Sequence, residues 1–254
     1  MRSRSTLASI ASTLNAQTEM PRERIIFGWS GGKDSAMALQ DILRSDLYEV
    51  AALVTTCTEG FRRVSVHGVR CSLLKTQAIE LGIPLRKVFI SRDCSNADYE
   101  NRMQTALVEF RNLGVSRVVF GDLFLEEIRR YRDRMLAAIG MTALYPLWGR
   151  DTKTLAREFV QEGFRAVLVC VDPRALDASF AGRMFDGAFL ADLPINVDPC
   201  GENGEFHTFV FDGPIFHRGV GYRPGRVVTR DNFCFADLLP VSGNPTKSRK
   251  SKRP

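Results

Sequence analysis

Between residues 24 and 45 the hydrophobic period changes across a glycine pair, and this change constrains the fold more than any other feature. The apolar run Arg24-Ile25-Ile26-Phe27-Gly28-Trp29 opens into Ser30-Gly31-Gly32-Lys33-Asp34-Ser35. Ala36, Leu39, Ile42 and Leu43 then recur at helix-face spacing. The order is buried strand, tight turn, helix N-terminus. Two adjacent glycines let the backbone bend sharply and bring bare N–H groups close to a ligand. The first turn of a helix adds unpaired N–H donors and a partial positive charge, so an anion fits there. Lys33 supplies a full charge, and Ser30 and Ser35 supply hydroxyls. The expected ligand is a phosphate chain. An ordinary strand-to-helix turn capped by Asp34 or Ser30 would use the same residues, but the attached Lys-Asp-Ser favours the phosphate site.

The alternation of strand and helix continues. Val50–Thr56 reads as a buried strand, followed by a polar stretch through Glu59–Arg63, then His67 and a helix with Leu74, Ala78 and Leu81 on one face and Gly82 as its stop. Leu85–Ile90 is a third strand. Tyr99, Met103, Ala106, Leu107, Phe110 and Leu113 mark the next helix. A fourth strand at Arg117–Gly121 precedes a charged helix from about Glu126 to Ile139. Such alternation predicts an α/β fold whose parallel sheet is covered by helices on both faces. Ligands of these sheets bind beyond the carboxyl ends of the strands, and Ser30–Ser35, Thr55–His67 and Gly121–Asp122 all fall on that edge.

After Pro146-Leu147-Trp148 the texture changes. Asp151 is expected to cap a helix running through Val160, and Arg165–Val171 reads as a strand stopped by Asp172-Pro173. Shorter Gly- and Pro-rich elements follow, with Phe206–Phe211 as a further strand. The expected organisation is an extension at 1–22, a nucleotide-binding unit at 23–147, a smaller mixed α/β unit at 148–240 and a basic tail at 241–254. Within the second unit, Asp198–Pro214 holds Glu202, Glu205, His207 and Thr208 in a turn-rich loop before a strand. Two acids three residues apart can face one cleft as metal ligands, amine-orienting groups or an acid–base pair; a solvated turn is the simpler alternative.

The charge balance says little about partners. The segment Lys247–Pro254 carries five positive charges, and without it the net charge falls from +6 to +1; removing Arg2 and Arg4 as well leaves −1. The body is therefore near neutral, nucleic acid is not an expected partner, and the tail reads as a solvated end. The first twenty residues, which lack an acid before Glu19, read as a disordered extension or as preceding a start at Met20. None of the six cysteines is spaced as CxxC; Cys57 and Cys170 sit in apolar runs as small hydrophobes, and the count suits a reducing cytoplasm. No apolar run approaches the ~20 residues that span a bilayer.

The hexapeptide Ser30–Ser35 resembles the SGGxDS pyrophosphate loop of the PP-loop ATPases, which split ATP between its α- and β-phosphates; it is neither a Walker A loop nor a GxGxxG turn. With His67, Leu81-Gly82-Ile83-Pro84-Leu85, Pro146-Leu147-Trp148-Gly149-Arg150-Asp151 and Gly201-Glu202-Asn203-Gly204-Glu205-Phe206-His207-Thr208 in the same order, residues 24–216 resemble the diphthine–ammonia ligase family. Asn203 and His207 replace a glycine and an acid of that family's last motif, and Leu125–Arg134 differs from its eukaryotic helix start. A diverged, prokaryotic-type branch with another acceptor is one expectation.

The resemblance implies a HUP-type, Rossmann-like adenine-nucleotide domain, a C-terminal acceptor domain and a site between them. It implies ATP with Mg²⁺, adenylation of an acceptor carboxylate with loss of pyrophosphate, and displacement of AMP by ammonia. Ser30, Gly31, Gly32, Lys33, Asp34 and Ser35 would hold the phosphates, with Asp34 either on Mg²⁺ or capping the helix. His67, Gly121 and Asp122 are further nucleotide-side candidates. Arg132, Arg150, Glu202, Glu205 and His207 are the acceptor-side candidates, and Lys33, Asp34, Glu202 and Glu205 the catalytic ones. Trp148 is expected as an anchor between the two units. A homodimer is allowed. Two other readings stand beside this one: a PP-loop tRNA-modifying enzyme, disfavoured by the missing CxxC and neutral body, and a non-catalytic ATP sensor, which has no need of the acid loop.

Overall fold

The computed structural model describes residues 21–60, 63–64 and 67–241. Residues 1–20 of the extension expected at 1–22, the basic tail from 242 and residues 61, 62, 65 and 66 lie outside them. Sheet and helix alternate as the hydrophobic period predicts: β1 (Glu23–Gly28), α1 (Lys33–Arg44), β2 (Tyr48–Thr58), a short β3 (Arg63–Val64), α2 (Cys71–Leu81), β4 (Leu85–Ile90), α3 (Asn96–Asn112), β5 (Arg117–Val119), α4 (Glu126–Ala137) and β6 (Thr142–Leu144). Strands β4, β2, β1, β5 and β6 are parallel neighbours, and β3 adds antiparallel to the end of β2. The chain winds outward from β1 to β4 and then crosses to β5 on the other side of β1. The β1–β5 seam is therefore the topological switch point, where a crevice opens at the strand ends.

Alternate residues of β1 serve opposite faces, as a pleated strand requires. Ile25 and Phe27 join a cluster with Ala36 and Leu39 of α1 and Leu74 and Ala78 of α2. Ile26 packs with Met103 and Leu107 of α3 and Met135 and Leu136 of α4. Both faces of the sheet are thus covered. Gly82 closes α2 in the left-handed conformation at φ 69°, which a residue with a Cβ adopts only at a cost.

The second half is a smaller antiparallel sheet. α5 (Thr152–Gln161) starts at Asp151, whose carboxylate accepts the Thr154 N–H at 2.8 Å. β7 (Arg165–Val171) lies between β11 (Phe233–Pro240) and β8 (Met184–Phe185), also pairs with β9 (Phe206–Asp212), and β10 (Tyr222–Arg230) closes the edge. A short helix, α6 (Gly187–Asp192), completes this half. The β10–β11 hairpin was not read from the sequence. Its signal is Asp231-Asn232, both at positive φ (50° and 64°), in a two-residue turn that matches strand twist.

Leu155, Phe159, Val167, Val169 and Phe209 of the second half belong to the same buried cluster as Phe27 and Leu39 of the first. Trp148, at the crossing, packs beside Tyr145 and under the Arg129 guanidinium of α4. The cysteines depart from expectation in one place. Cys57, read as a small hydrophobe, forms a disulfide with Cys71, joining the end of β2 to the start of α2. Parallel strand and following helix bring the two Cα atoms within 6.6 Å, inside bridging range.

Candidate active site

At the end of β1 the backbone is held open by small residues. Gly31 adopts φ 79°, and a Cβ on Gly32 would sit 3.2 Å from the Thr208 carbonyl oxygen. Across the seam, a Cβ on Gly121 would lie 2.9–3.0 Å from the Asp34 and Ser35 backbone. Glycine at 121 is therefore what lets the β5 end close on the start of α1. Three hydrogen bonds close within the loop. Ser30 and Ser35 share a 2.7 Å hydroxyl–hydroxyl hydrogen bond, the Gly32 N–H donates to Ser30 Oγ (3.2 Å), and the Ser30 N–H donates to Ser35 Oγ (3.3 Å). Gly32 caps α1 without a side chain of its own. The Lys33 N–H instead donates to Thr208 Oγ1, 3.0 Å away on β9.

Lys33 is buried at 3% exposure. Its ammonium donates to both Asp34 carboxylate oxygens (2.7 and 2.9 Å) and to the Cys200 carbonyl, and lies 5.5 Å from the Phe206 ring centre. Burial opposes that charge, but Asp34 and the nearby Cys200 and Glu202 outweigh it and hold the lysine above its usual range. Lys33 thus ties the Ser30–Ser35 loop to the acid loop.

Within that loop the acids divide. Asp198 accepts the Cys200 and Glu202 N–H groups, and Glu205 accepts the Asp198 N–H and the Asn203 amide. Glu202 alone of the Glu202–Glu205 pair reaches the cavity, accepting the Leu123 N–H at 2.8 Å. Burial pushes its carboxyl up to about 7 against that hydrogen bond, with Asp34 and Asp122 adding to the rise.

Opposite lie Asp122 and Arg132. The guanidinium Nε is 2.8 Å from Asp122 Oδ2, Nη2 donates to Oδ1 at 3.1 Å, and the group stacks 4.1 Å from the Phe120 ring centre. His67 and His207 face each other with ring centres 4.5 Å apart. Burial, then His67 and Lys33, hold the His207 imidazole well below its usual range, so it is neutral at pH 7. All of these line one cavity of about 810 Å³, a nucleotide-sized volume.

The structure therefore brings Ser30, Gly32, Lys33, Asp34, Ser35, His67, Gly121, Asp122, Arg132, Glu202 and His207 to one space. Gly31 shapes the loop from behind, against Gln77. Two expected acceptor-side residues are placed elsewhere. Arg150 pairs with Asp41 of α1 and Glu158 of α5, because the crossing segment lays it along the helices rather than over the strand ends. Glu205 is turned into its own loop, where two donors use one carboxylate oxygen. The expected Mg²⁺ contact at Asp34 is occupied by Lys33, and among the described residues no group of three or more His, Cys, Asp or Glu is set to hold a metal. Sequence reasoning gave no role to Thr208 as a cap, or to Gln77, Cys200, Tyr99 and Met103. Only Thr208 lay in a motif; the others look like ordinary helix or loop positions.

A Ser- and Gly-rich loop at the switch point of a parallel sheet, faced by an acid loop from an antiparallel sheet, defines a two-sheet α/β protein with one shared cavity. Two family models match it, the Diphthamide synthase N-terminal domain over residues 23–143 and the Diphthamide synthase C-terminal domain over residues 151–228. The chain belongs to the diphthamide synthase family. It is similar to the diphthine–ammonia ligase of Schizosaccharomyces pombe (26% identical over 212 residues, 75% of this chain and 34% of that one). It is also similar to those of Bos taurus (28% over 120 residues, 45% of each) and Danio rerio (24% over 239 residues, 85% and 92%). The matched segment thus spans a third to under half of the yeast and bovine proteins and nearly all of the fish one. No helix among the described residues is long and apolar enough to cross a membrane.

Proposed function

We propose that the protein is an ATP-dependent ligase that activates an acceptor carboxylate as its adenylate and converts it to an amide with ammonia. The observation that carries this reading is the convergence on one cavity of two loops 167 residues apart, joined by Lys33 and the Cys200 carbonyl. Direct amide formation is uphill because hydroxide leaves poorly. Attack of the acceptor carboxylate on the α-phosphorus, with loss of pyrophosphate, supplies a better leaving group. The chain's task is to align the reactants and offset phosphate charge.

In this scheme the Gly32 N–H and the Ser30 and Ser35 hydroxyls exchange their hydrogen bonds within the loop for pyrophosphate oxygens, while the Lys33 N–H stays on Thr208 Oγ1. His67 stands beside the same loop. Arg132, braced by Asp122 and Phe120, orients the acceptor carboxylate. Glu202, with a carboxyl poised near neutrality, takes a proton from ammonium so that the amine attacks the acyl carbon and AMP departs. Mg²⁺ would be carried in on the phosphates and neutralise their charge, with Asp34 its carboxylate on the loop once released from Lys33.

The test is a nucleotide product assay with Mg-ATP, ammonium and a small-molecule extract of the source cell. AMP and pyrophosphate are expected, stimulated by extract. Ser30→Ala and Lys33→Ala should abolish both, and Glu202→Gln should bind ATP while losing about a hundredfold or more in turnover. ADP and phosphate would exclude the adenylation scheme, and ATP binding unaffected by Glu202→Gln with no product at all would favour a nucleotide sensor.

A further inference from the structure

Behind the phosphate loop, outside the cavity, sits a side chain with no place in the scheme above. Gln77 of α2 is fully buried. Its Nε2 donates to the Gly31 carbonyl (3.1 Å) and to the Val210 carbonyl (2.6 Å), and its Oε1 accepts the Trp29 indole N–H (2.9 Å). The Gly31 carbonyl also accepts the Val210 N–H at 2.9 Å. One amide thus bonds the end of β1, the phosphate loop and β9. A buried amide is costly unless its donors and acceptor are paired; here two of the three partners are backbone carbonyls, one of them in the loop itself. The contact also explains the glycine at 31, where a Cβ would fall 2.7 Å from Gln77 Oε1.

The seam runs on from there. Two residues before Val210, Thr208 holds the Lys33 N–H, and His207 beside it faces His67 across the cavity. β9 begins at Phe206, directly after the acid loop. A shift of the Gly31 peptide therefore pulls on β9, and through it on the loop that carries Glu202 four residues before the strand. We propose that Gln77 is a positioning residue that locks the phosphate loop to β9, so that the phosphate side and the acid side of the site are set together. Its catalytic meaning rests on reading residues 30–35 as the pyrophosphate site.

The test compares Gln77→Met, which keeps length and loses the amide, with Gln40→Met. Gln40 is a second buried glutamine, in α1, whose partner is Glu162. Inorganic pyrophosphate is titrated by calorimetry, and amide exchange is followed in residues 29–35 and 206–212. Gln77→Met should weaken pyrophosphate about tenfold and speed exchange in both segments. Gln40→Met, even with the same loss in melting temperature, should do neither. Wild-type affinity in Gln77→Met, or faster exchange confined to 29–35, would overturn the proposal. If wild type takes up no pyrophosphate but Gln77→Met still loosens both segments, the coupling stands and the phosphate reading fails. Should Gln77→Met not fold, Trp29→Phe, which keeps an aromatic ring but loses the indole donor to Oε1 and some buried volume, must loosen 206–212 as well as 29–35.

Discussion

Glu202 shows how far a residue's chemistry departs from its type. In the sequence it is one of two equivalent acids in a glycine loop, yet Glu205 folds back on its own backbone while Glu202 enters the cavity. Its carboxyl, pushed up to about 7 by burial, binds its proton more tightly in the folded than in the unfolded chain. The stability this contributes is complete below the ordinary value of 4.5 and is lost as pH rises through 7. Glu202→Gln keeps an oxygen for the Leu123 N–H and carries no charge. Wild type and variant should therefore unfold alike in urea at pH 4.5. At pH 8 the variant should be the more stable by about 1–2 kcal/mol, discounted for Glu202's partial exposure. An equal difference at both pH values would mean that the carboxyl titrates normally. Ser30–Ser35 was legible because its chemistry lies in consecutive residues. Gln77 was not, because a buried glutamine at a helix position reads as an imperfect core residue until its three partners are assembled.

At the scale of elements, β1, β2, β4, β5 and α1–α4 were readable from period alone, since both faces of the parallel sheet are buried and its helices carry one apolar stripe; β3 and β6, two and three residues long, are too short to show a period. β4 and β7 match their expected bounds, Leu85–Ile90 and Arg165–Val171. β10 was missed because eight of its nine residues are exposed, leaving no buried face to impose alternation. Arg150 illustrates the reverse error, a motif residue assigned to the cleft whose guanidinium instead links α1 to α5 through Asp41 and Glu158. Replacing it by Met should cost about 1 kcal/mol in urea unfolding, the scale of a partly exposed ion pair. In the proposed ligase reaction, the Michaelis constants for ATP and ammonium should not change. A rise in either would return Arg150 to the site.

For the whole molecule, the shared hydrophobic cluster decides how the halves behave. Leu39 and Phe27 of the first sheet's layers and Phe159, Val169 and Phe209 of the second are parts of one buried body, and the seam of Thr208, Val210 and Gln77 adds hydrogen bonds across it. Cutting that body would expose apolar surface on both sides. Calorimetry should accordingly show one cooperative transition rather than two. Two resolved transitions would show that the sheets melt as independent units. The arrangement also gives the site its two-sided character, with one wall supplied by each sheet.

Sequence alone determined what is local or periodic: the strand–loop–helix with its backbone and hydroxyl donors, the alternation of strands and helices in the first half, and an acid-bearing loop before a strand. These follow from backbone sterics and from the spacing of apolar side chains, which act over a few residues. Tertiary structure decided which of those groups meet. It set Thr208 on the Lys33 N–H, Lys33 on the Cys200 carbonyl and Gln77 between Gly31 and Val210, and it turned Glu202 inward and Glu205 aside. Contacts between residues so distant in sequence depend on how two sheets pack around one core, and no local pattern encodes that distance.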